Sequence, residues 1–353
     1  MNILITGGAG FVGSNLAIHL KKAFPKYNIV VLDNLKRRGS ELNISRLKVL
    51  GIVFMHGDTR NAEDLLSVGK IDILIDASAE PSVLAGIENG TRQLINNNLI
   101  GTINCLDFAL ENNAKFIFLS TSRVYPVKAL CDLNLINNET RFTLDNLNIE
   151  GVDNEGINEN FEIKGVRTFY GATKYASEIL INEYNAFAQL ESVINRCGVI
   201  AGPWQMGKVD QGFLTLWLSR HYYGKPLKYI GFNGTGKQVR DVLHIYDLCD
   251  LISIQIDEFS KFNGKTFNVG GGIKNAVSLK ETTMLSEEVT GKTISISSSE
   301  EDRLGDIPYY VTDYSKLNEI CGWAPQRNVN KILKDIYAWI LENDEIIAPV
   351  LNK

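Results

Sequence analysis

No apolar run in these 353 residues approaches the ~18 residues a membrane-crossing helix needs, so no membrane partner is expected. Basic charge is not in excess either. Lys and Arg number 36 against 41 Asp and Glu, a formal charge of -5, which argues against a nucleic-acid partner. The five cysteines (Cys105, Cys131, Cys197, Cys249 and Cys321) form no CxxC pair. None has a histidine at metal-ligand spacing, so no metal site and no disulfide framework is expected; they read as small core residues in a reducing compartment. No internal repeat is visible. Met1 runs directly into the apolar stretch Asn2-Ile3-Leu4-Ile5-Thr6. No signal peptide is expected there, and the cytoplasm is the expected location.

What is present is an ordinary globular composition, 44% hydrophobic and 22% charged, in a chain long enough for two lobes. Short β-branched runs at 2–6, 29–33, 53–56, 73–77, 116–120 and 192–196 alternate with helical periodicity, notably over 13–24, 93–112 and 172–189. Such alternation predicts a parallel sheet with helices on both faces, a Rossmann-like doubly wound α/β fold. Uninterrupted apolar strands such as Ile71-Asp72-Ile73-Leu74-Ile75 fit a sheet buried on both sides. After Gly202-Pro203 the chain becomes Gly- and aromatic-rich (Trp204, Phe213, Trp217, Tyr222, Tyr223), which suggests a smaller second lobe. The expected partition is a Rossmann domain over 1–198 with a return segment at about 240–272, and a lobe from 199–239 and 273–353. Helices are expected over 242–256, 278–289 and 328–341, and a further strand over 266–269 that rejoins the first sheet. The Asn-, Glu- and Asp-rich stretch from 131 to 164 has little periodicity and reads either as a lid or as a solvated insertion.

Thr6-Gly7-Gly8-Ala9-Gly10-Phe11-Val12-Gly13 lies between the first strand and the first helix. Glycines at 7, 10 and 13 allow a tight turn, close approach to a pyrophosphate and close helix–strand packing, with the helix N-terminus facing the phosphates. Asp33 ends the second strand, where a carboxylate binds adenosine ribose hydroxyls. That carboxylate favours NAD over NADP by repelling a 2′-phosphate, although Lys36, Arg37 and Arg38 pull the other way. Asp58, after the third strand, is placed to meet the adenine amino group, or is simply a turn aspartate.

Tyr170 and Lys174 stand one helical turn apart, so both project from one helix face. A free phenol titrates near ~10, and a neighbouring ammonium favours the phenolate that could take a proton from a substrate hydroxyl. The same spacing also arises by chance on solvated helices.

The glycine loop, Asp33 and the Tyr170–Lys174 pair together resemble the extended short-chain dehydrogenase/reductases, specifically their nucleotide-sugar epimerases and dehydratases. Asn98, the Ser120-Thr121-Ser122-Arg123-Val124-Tyr125 run, the run from Gly234 to His244 and Arg303-Leu304-Gly305-Asp306 fit the same pattern. The resemblance implies NAD as cofactor and a nucleotide-diphosphate sugar as substrate. It implies Tyr170 as base, Lys174 as its activator and ribose ligand, and Thr121 as the group that holds the reacting hydroxyl. Gly7, Gly10, Phe11, Val12, Gly13, Asp33, Asn34, Arg37, Asp58, Thr59, Ala77, Ser78, Ala79, Asn98, Ser120 and Arg196 would complete the NAD site. Thr121, Ser122, Asp210, Gln211, Gly212, Gln238, Arg240, Arg303 and Asp306 would meet the substrate, with Arg240 and Arg303 clamping phosphates. Either arginine alone would otherwise read as a surface ion pair.

Dehydratases of this family carry an Asp-Glu pair after the catalytic Thr; here the positions hold Ser122 and Arg123. The runs Asp33 to Gly39, Asp210-Gln211-Gly212 and Gly236 to His244 look most like the 2-epimerases of CDP-linked 3,6-dideoxyhexoses. A 4-epimerase or reductase acting on another nucleotide sugar is the alternative, and a non-catalytic dinucleotide sensor the alternative of another class. Helices around 93–112 and 172–189 resemble those that pair across the family's interface, which implies a homodimer or homotetramer.

Overall fold

The computed structural model describes residues 1–87, 90–145, 148–209, 211–301 and 303–352. Asp210 of the expected substrate site therefore lies outside the described residues. The chain begins β1 (Asn2–Thr6), α1 (Phe11–Ala23), β2 (Asn28–Asp33), α2 (Asn43–Val49), β3 (Val53–His56), α3 (Ala62–Leu66) and β4 (Ile73–Asp76). Next come α4 (Thr91–Ile95), a π-turn over Asn96–Ile100, α5 (Gly101–Asn112), β5 (Lys115–Thr121), a 3-10 turn (Ser122–Val124) and α6 (Val127–Cys131). Four short strands follow, β6 (Leu135–Asn137), β7 (Phe142–Leu144), β8 (Val152–Asp153) and β9 (Gly156–Ile157). The middle of the chain holds α7 (Phe169–Ala188), β10 (Ser192–Cys197), β11 (Val199–Ala201), α8 (Phe213–Tyr223), β12 (Leu227–Ile230) and β13 (Val239–His244). It closes with α9 (Ile245–Asp257), β14 (Lys265–Val269), β15 (Ala276–Ser278), α10 (Leu279–Thr290), β16 (Ile296–Ser299), β17 (Tyr309–Tyr310), α11 (Ser315–Cys321) and α12 (Val329–Leu351).

Two compact units result. The first, residues 1–124, 169–196 and 248–267, is built on a seven-stranded sheet in the order β14-β10-β5-β4-β1-β2-β3. β1 runs parallel to both β2 and β4, and β4 runs parallel to β5. Strand order reverses between β1 and β4, and at such a switch point the carboxyl ends of the strands open a crevice for a ligand. The sheet is buried on both sides, as its apolar strands predict: Ile3, Leu4, Ile5, Leu74, Ile75, Phe116 and Phe118 are sealed from solvent. The final expected strand does join this sheet, as its edge strand β14.

The second unit, residues 125–168, 197–247 and 268–353, carries a sheet of β11, β13 and β15 with β17 paired to β13. Trp217, Leu216 and Leu227 form a small apolar core there, with Phe213, Tyr229 and Ile296 packed against it. The residues at 125–168, grouped with the first lobe in the sequence partition, pack into this second unit.

Two secondary-structure expectations need correction. The helix expected from 242 starts at Ile245, because Val242, Leu243 and His244 finish β13. The apolar run continues unbroken from strand to helix, and the cap is a histidine: Tyr246 N–H donates to His244 Nδ1 at 3.0 Å. The stretch from 131 to 164 is not irregular throughout. It forms two hairpins, β6–β7 and β8–β9. The first is docked, with Lys237 Nζ donating to Asn137 Oδ1 at 2.8 Å and Thr140 Oγ1 to Glu281 at 2.7 Å. Among the described residues no helix is long and apolar enough to cross a membrane.

Candidate active site

The glycine loop follows β1 and meets the segment after β4. Gly7 has φ +62°, and a Cβ there would lie 2.7 Å from Ala77 O and 2.8 Å from Ser78 Cα. A Cβ on Gly13 would lie 2.4 Å from Gly7 O, so that glycine is required by the protein's own packing. Gly10 differs. Its Cβ would meet a single protein atom, Gly7 O at 3.1 Å, so packing alone does not demand glycine there. A glycine there leaves the backbone open to close approach by a ligand. α1, which starts at Phe11, has no side-chain cap and no acid in its first turn, leaving its N–H groups to an external anion. The loop, the uncapped helix and Asp33 together fit a dinucleotide.

Asp33 accepts from Ala9 N–H at 3.1 Å and Leu35 N–H at 2.8 Å, so it also fixes the loop it follows. Burial pushes its carboxyl above the usual range, against these backbone donors. Asn43, which sequence reasoning missed, holds the loop from behind, its Nδ2 donating to Ala9 O at 2.9 Å. Arg46 in turn donates to Asn43 Oδ1 at 2.6 Å. Asp58 sits close by, but its oxygens already accept from Arg60 and from Asn34 Nδ2 (2.9 Å). An adenine amino group would have to share or displace these donors. Hydrogen bonds from Arg60 hold the Asp58 carboxyl down at about 2. Thr59, also buried, accepts on its carbonyl from Asn104 Nδ2 at 2.8 Å. Arg37 lies half-buried in the stretch after Asp33.

The segment after β4 is shaped by Asp76, a fully buried carboxylate that sequence reasoning also missed. It accepts from Thr6 Oγ1 (2.7 Å), Ser78 Oγ (2.7 Å), Ser78 N–H (3.1 Å) and Thr102 Oγ1 (2.9 Å). Asn98, in the π-turn, accepts from Glu80 N–H at 2.8 Å and donates to Thr173 Oγ1 at 3.3 Å. It thereby ties the small-residue stretch Ala77-Ser78-Ala79 to helix α7. π-Turns inside α-helices often mark functional positions, and this one carries the buried Asn98 side chain.

Tyr170, Lys174 and Glu178 line one face of α7 at successive turns. All three are buried, Lys174 to 2% exposure. The Lys174 ammonium stands over the Phe118 ring on β5, and Thr121 ends the same strand. Thr121 Oγ1 accepts from Arg123 N–H at 3.2 Å, which leaves its own proton to donate. The turn of Ser122–Val124 packs against α7. Tyr170, Lys174 and Thr121 thus belong to one compact unit, on adjoining elements. Ser120 and Arg196 turn out to serve Glu178: Ser120 Oγ donates at 2.5 Å and Arg196 Nη2 at 2.8 Å.

In the second unit, Arg240 Nη2 donates to Asp306 Oδ1 at 2.8 Å and to Ile307 O at 2.7 Å. Two expected substrate residues are therefore partners of each other. Arg303 Nη1 donates to Val209 O at 3.2 Å, and Asp306 N–H to Arg303 O at 3.0 Å, so one turn joins both arginines. Gln238 Nε2 donates to Ile230 O at 3.1 Å, while its Oε1 and that of Gln211 are buried without a partner. Gly212 takes φ +73° at the start of α8. Orphan buried acceptors call for a donor from water or a ligand.

Among known proteins, the profile of the NAD dependent epimerase/dehydratase family matches residues 3–270. CDP-paratose 2-epimerase of Salmonella typhi is 30% identical over 352 residues, covering 96% of this chain and 99% of that protein. A bifunctional UDP-glucose and UDP-xylose 4-epimerase of Pisum sativum is 26% identical, with 97% and 96% covered. The crystal structure of DesIV, a dTDP-glucose 4,6-dehydratase of Streptomyces venezuelae, superimposes with TM-score 0.81 at 24% identity over 99% of this chain and all of that one. A doubly wound sheet with its glycine loop at the switch point, a profile match over most of the length and an end-to-end relative lead to one conclusion: this chain is an enzyme of the NAD dependent epimerase/dehydratase family, and its cofactor is NAD.

Proposed function

We propose that this protein is a self-contained redox epimerase acting at C2 of a CDP-linked 3,6-dideoxyhexose. Epimerase chemistry is supported chiefly by one observation: Tyr170 and Lys174 share a buried helix face on α7, packed against the turn that follows Thr121. The choice of carbon and nucleotide rests on the Salmonella typhi relative, named a CDP-paratose 2-epimerase and matched end to end. Ser122 and Arg123, in place of the acid pair that family dehydratases use, speak against elimination of water.

In this reading Thr121 holds the reacting hydroxyl and Tyr170 takes its proton. Lys174 stabilises the phenolate that does so. NAD, when bound, would supply the hydride-transfer chemistry at that carbon. Gly7, Gly10, Gly13 and Asp33 would hold its adenosine half, and Lys174 its nicotinamide ribose. Tyr170 gives the proton back once the sugar has presented its other face, so atoms and electrons balance with no net oxidation. Arg240, Arg303, Gln211 and Gln238 would grip the nucleotide diphosphate. Binding energy at that remote end retains the oxidised sugar while the ring stays free to turn.

The test is incubation of the purified protein, without added cofactor, with CDP-, UDP- and GDP-sugars in deuterated water. Inversion at C2 of a CDP-sugar with no deuterium at that carbon is expected. Inversion at C4 of a UDP-sugar would replace the substrate assignment, and a requirement for added NADPH would replace epimerisation with reduction.

The protein is also proposed to be a homodimer or homotetramer through α5 and α7. These helices are neighbours, Tyr184 donating to Asp107 at 2.5 Å. Ile100, at the end of the π-turn that leads into α5, and Ile179 and Phe187 on α7 are exposed.

A further inference from the structure

We infer that Glu178 is a positioning residue for the catalytic pair, clamping the helix that bears Tyr170 and Lys174 to the strand end that bears Thr121. The inference rests on the assignment of Tyr170 as base. Glu178 lies one turn beyond Lys174 on the same face of α7 and is 2% exposed. Its Oε1 accepts from Ser120 Oγ at 2.5 Å and from Arg196 Nε at 3.2 Å. Its Oε2 accepts from Arg196 Nε at 3.1 Å and Nη2 at 2.8 Å. One carboxylate thus joins three elements, α7, β5 and β10.

The strand alternation explains why the join falls at the catalytic end. Phe118 and Ser120 are two residues apart on β5 and face the same side. Lys174 covers the first and Glu178 bonds to the second, so helix and strand are pinned at two successive turns. Thr121 is the next residue. An apolar residue at 178 would fill the same space with no desolvation cost, and replacing buried ion pairs in that way is often neutral or stabilising. Apolar contact, however, tolerates sliding. Hydrogen bonds at these distances do not, and a displacement of ~1 Å can cost on the order of a hundredfold in rate. The pair therefore supplies register between the base, its ammonium and the Thr121 hydroxyl.

The test reads Tyr170 directly and needs no sugar. In the NAD-bound protein, the ultraviolet titration of Tyr170 is obtained by subtracting the Tyr170→Phe counterpart, which removes the other phenols among 13 tyrosines. Glu178→Gln is a poor probe, because it leaves the Arg196 cation buried and uncompensated. Ser120→Ala and the double variant Glu178→Leu/Arg196→Met both conserve net charge. Each is expected to retain NAD and a cooperative thermal transition, with the Tyr170 midpoint raised by about one unit, a tenfold loss of phenolate at a given pH. A midpoint unmoved in Ser120→Ala overturns the proposal, whatever the double variant does. Failure of Tyr170 as the base would show separately, as an ordinary phenol midpoint in the parent protein.

Discussion

The Lys174 ammonium lies 4.2 Å from the centre of the Phe118 ring. A cation shielded from water on an aromatic face is stabilised by the ring quadrupole, and its field on nearby groups is little screened. Burial pushes the Cys105 thiol well up, with Asp76 adding and Lys174 opposing. The phenol one turn away on α7 is the group this arrangement would serve.

Lys174→Met and Tyr170→Phe should therefore separate two roles. Tyr170→Phe removes the proton acceptor alone, and epimerisation should fall by about a thousandfold or more while NAD stays bound through gel filtration. On the proposed reading Lys174→Met removes the activating charge and a ribose contact, so rate and NAD retention should fall together, the rate by about a hundredfold. A near-normal rate in Tyr170→Phe would end the mechanism.

Asp33→Ala should weaken NAD binding by about ten- to a hundredfold, the value of one or two hydrogen bonds to a carboxylate. It should also admit NADP, since the repulsion of a 2′-phosphate goes with the charge. Because burial raises the Asp33 carboxyl, its protonation on acidification begins at higher pH than for an exposed aspartate. NAD retention should weaken from that point downward. Titration of cofactor retention by fluorescence checks both; unchanged cofactor preference would mean that Asp33 does not touch the ribose.

Asp58 behaves in the opposite sense. Its folded-state carboxyl is depressed to about 2 by hydrogen bonds from Arg60. The contribution is complete above about pH 5, where an unfolded aspartate (~3.9) is ionised, and is lost progressively as pH falls through the folded value. Arg60 is partly exposed, so the pair is worth no more than about 1 kcal/mol. Melting temperatures of the parent and Asp58→Asn should differ by a constant small amount from neutral pH down to ~5 and converge towards pH 2. A difference that widens on acidification would contradict the sign.

Ile179→Asp places a charge on the exposed apolar side of α7. If α7 pairs with a second copy, the variant should sediment as a monomer at concentrations where the parent is a dimer or tetramer, because an unpaired carboxylate in an apolar interface is costly. An unchanged sedimentation coefficient would remove α7 from the interface.

Much of the first unit could be read directly from the residues. Apolar β-branched strands, the glycine loop, Asp33 and the Tyr170–Lys174 spacing are local signals, each set by backbone geometry over a few positions. What local pattern could not supply is pairing across long separations. Nothing near Ser120 or Arg196 announces that both end on Glu178, although an acid continuing the Tyr170–Lys174 stripe on a buried face was a signal in principle. Asp76 lay hidden in an apolar strand run until Thr6, Ser78 and Thr102 were brought to it by β1, the following turn and α5. The hairpins within 131–164 had too little periodicity to be seen, and the first is held from far along the chain, by Lys237 and Glu281. Local chemistry thus determined the doubly wound sheet, the glycine loop and the Tyr170–Lys174 spacing. Only the tertiary fold decided which buried charges neutralise one another, because a carboxylate finds its partner by distance in space and carries no mark of that partner in its own neighbourhood.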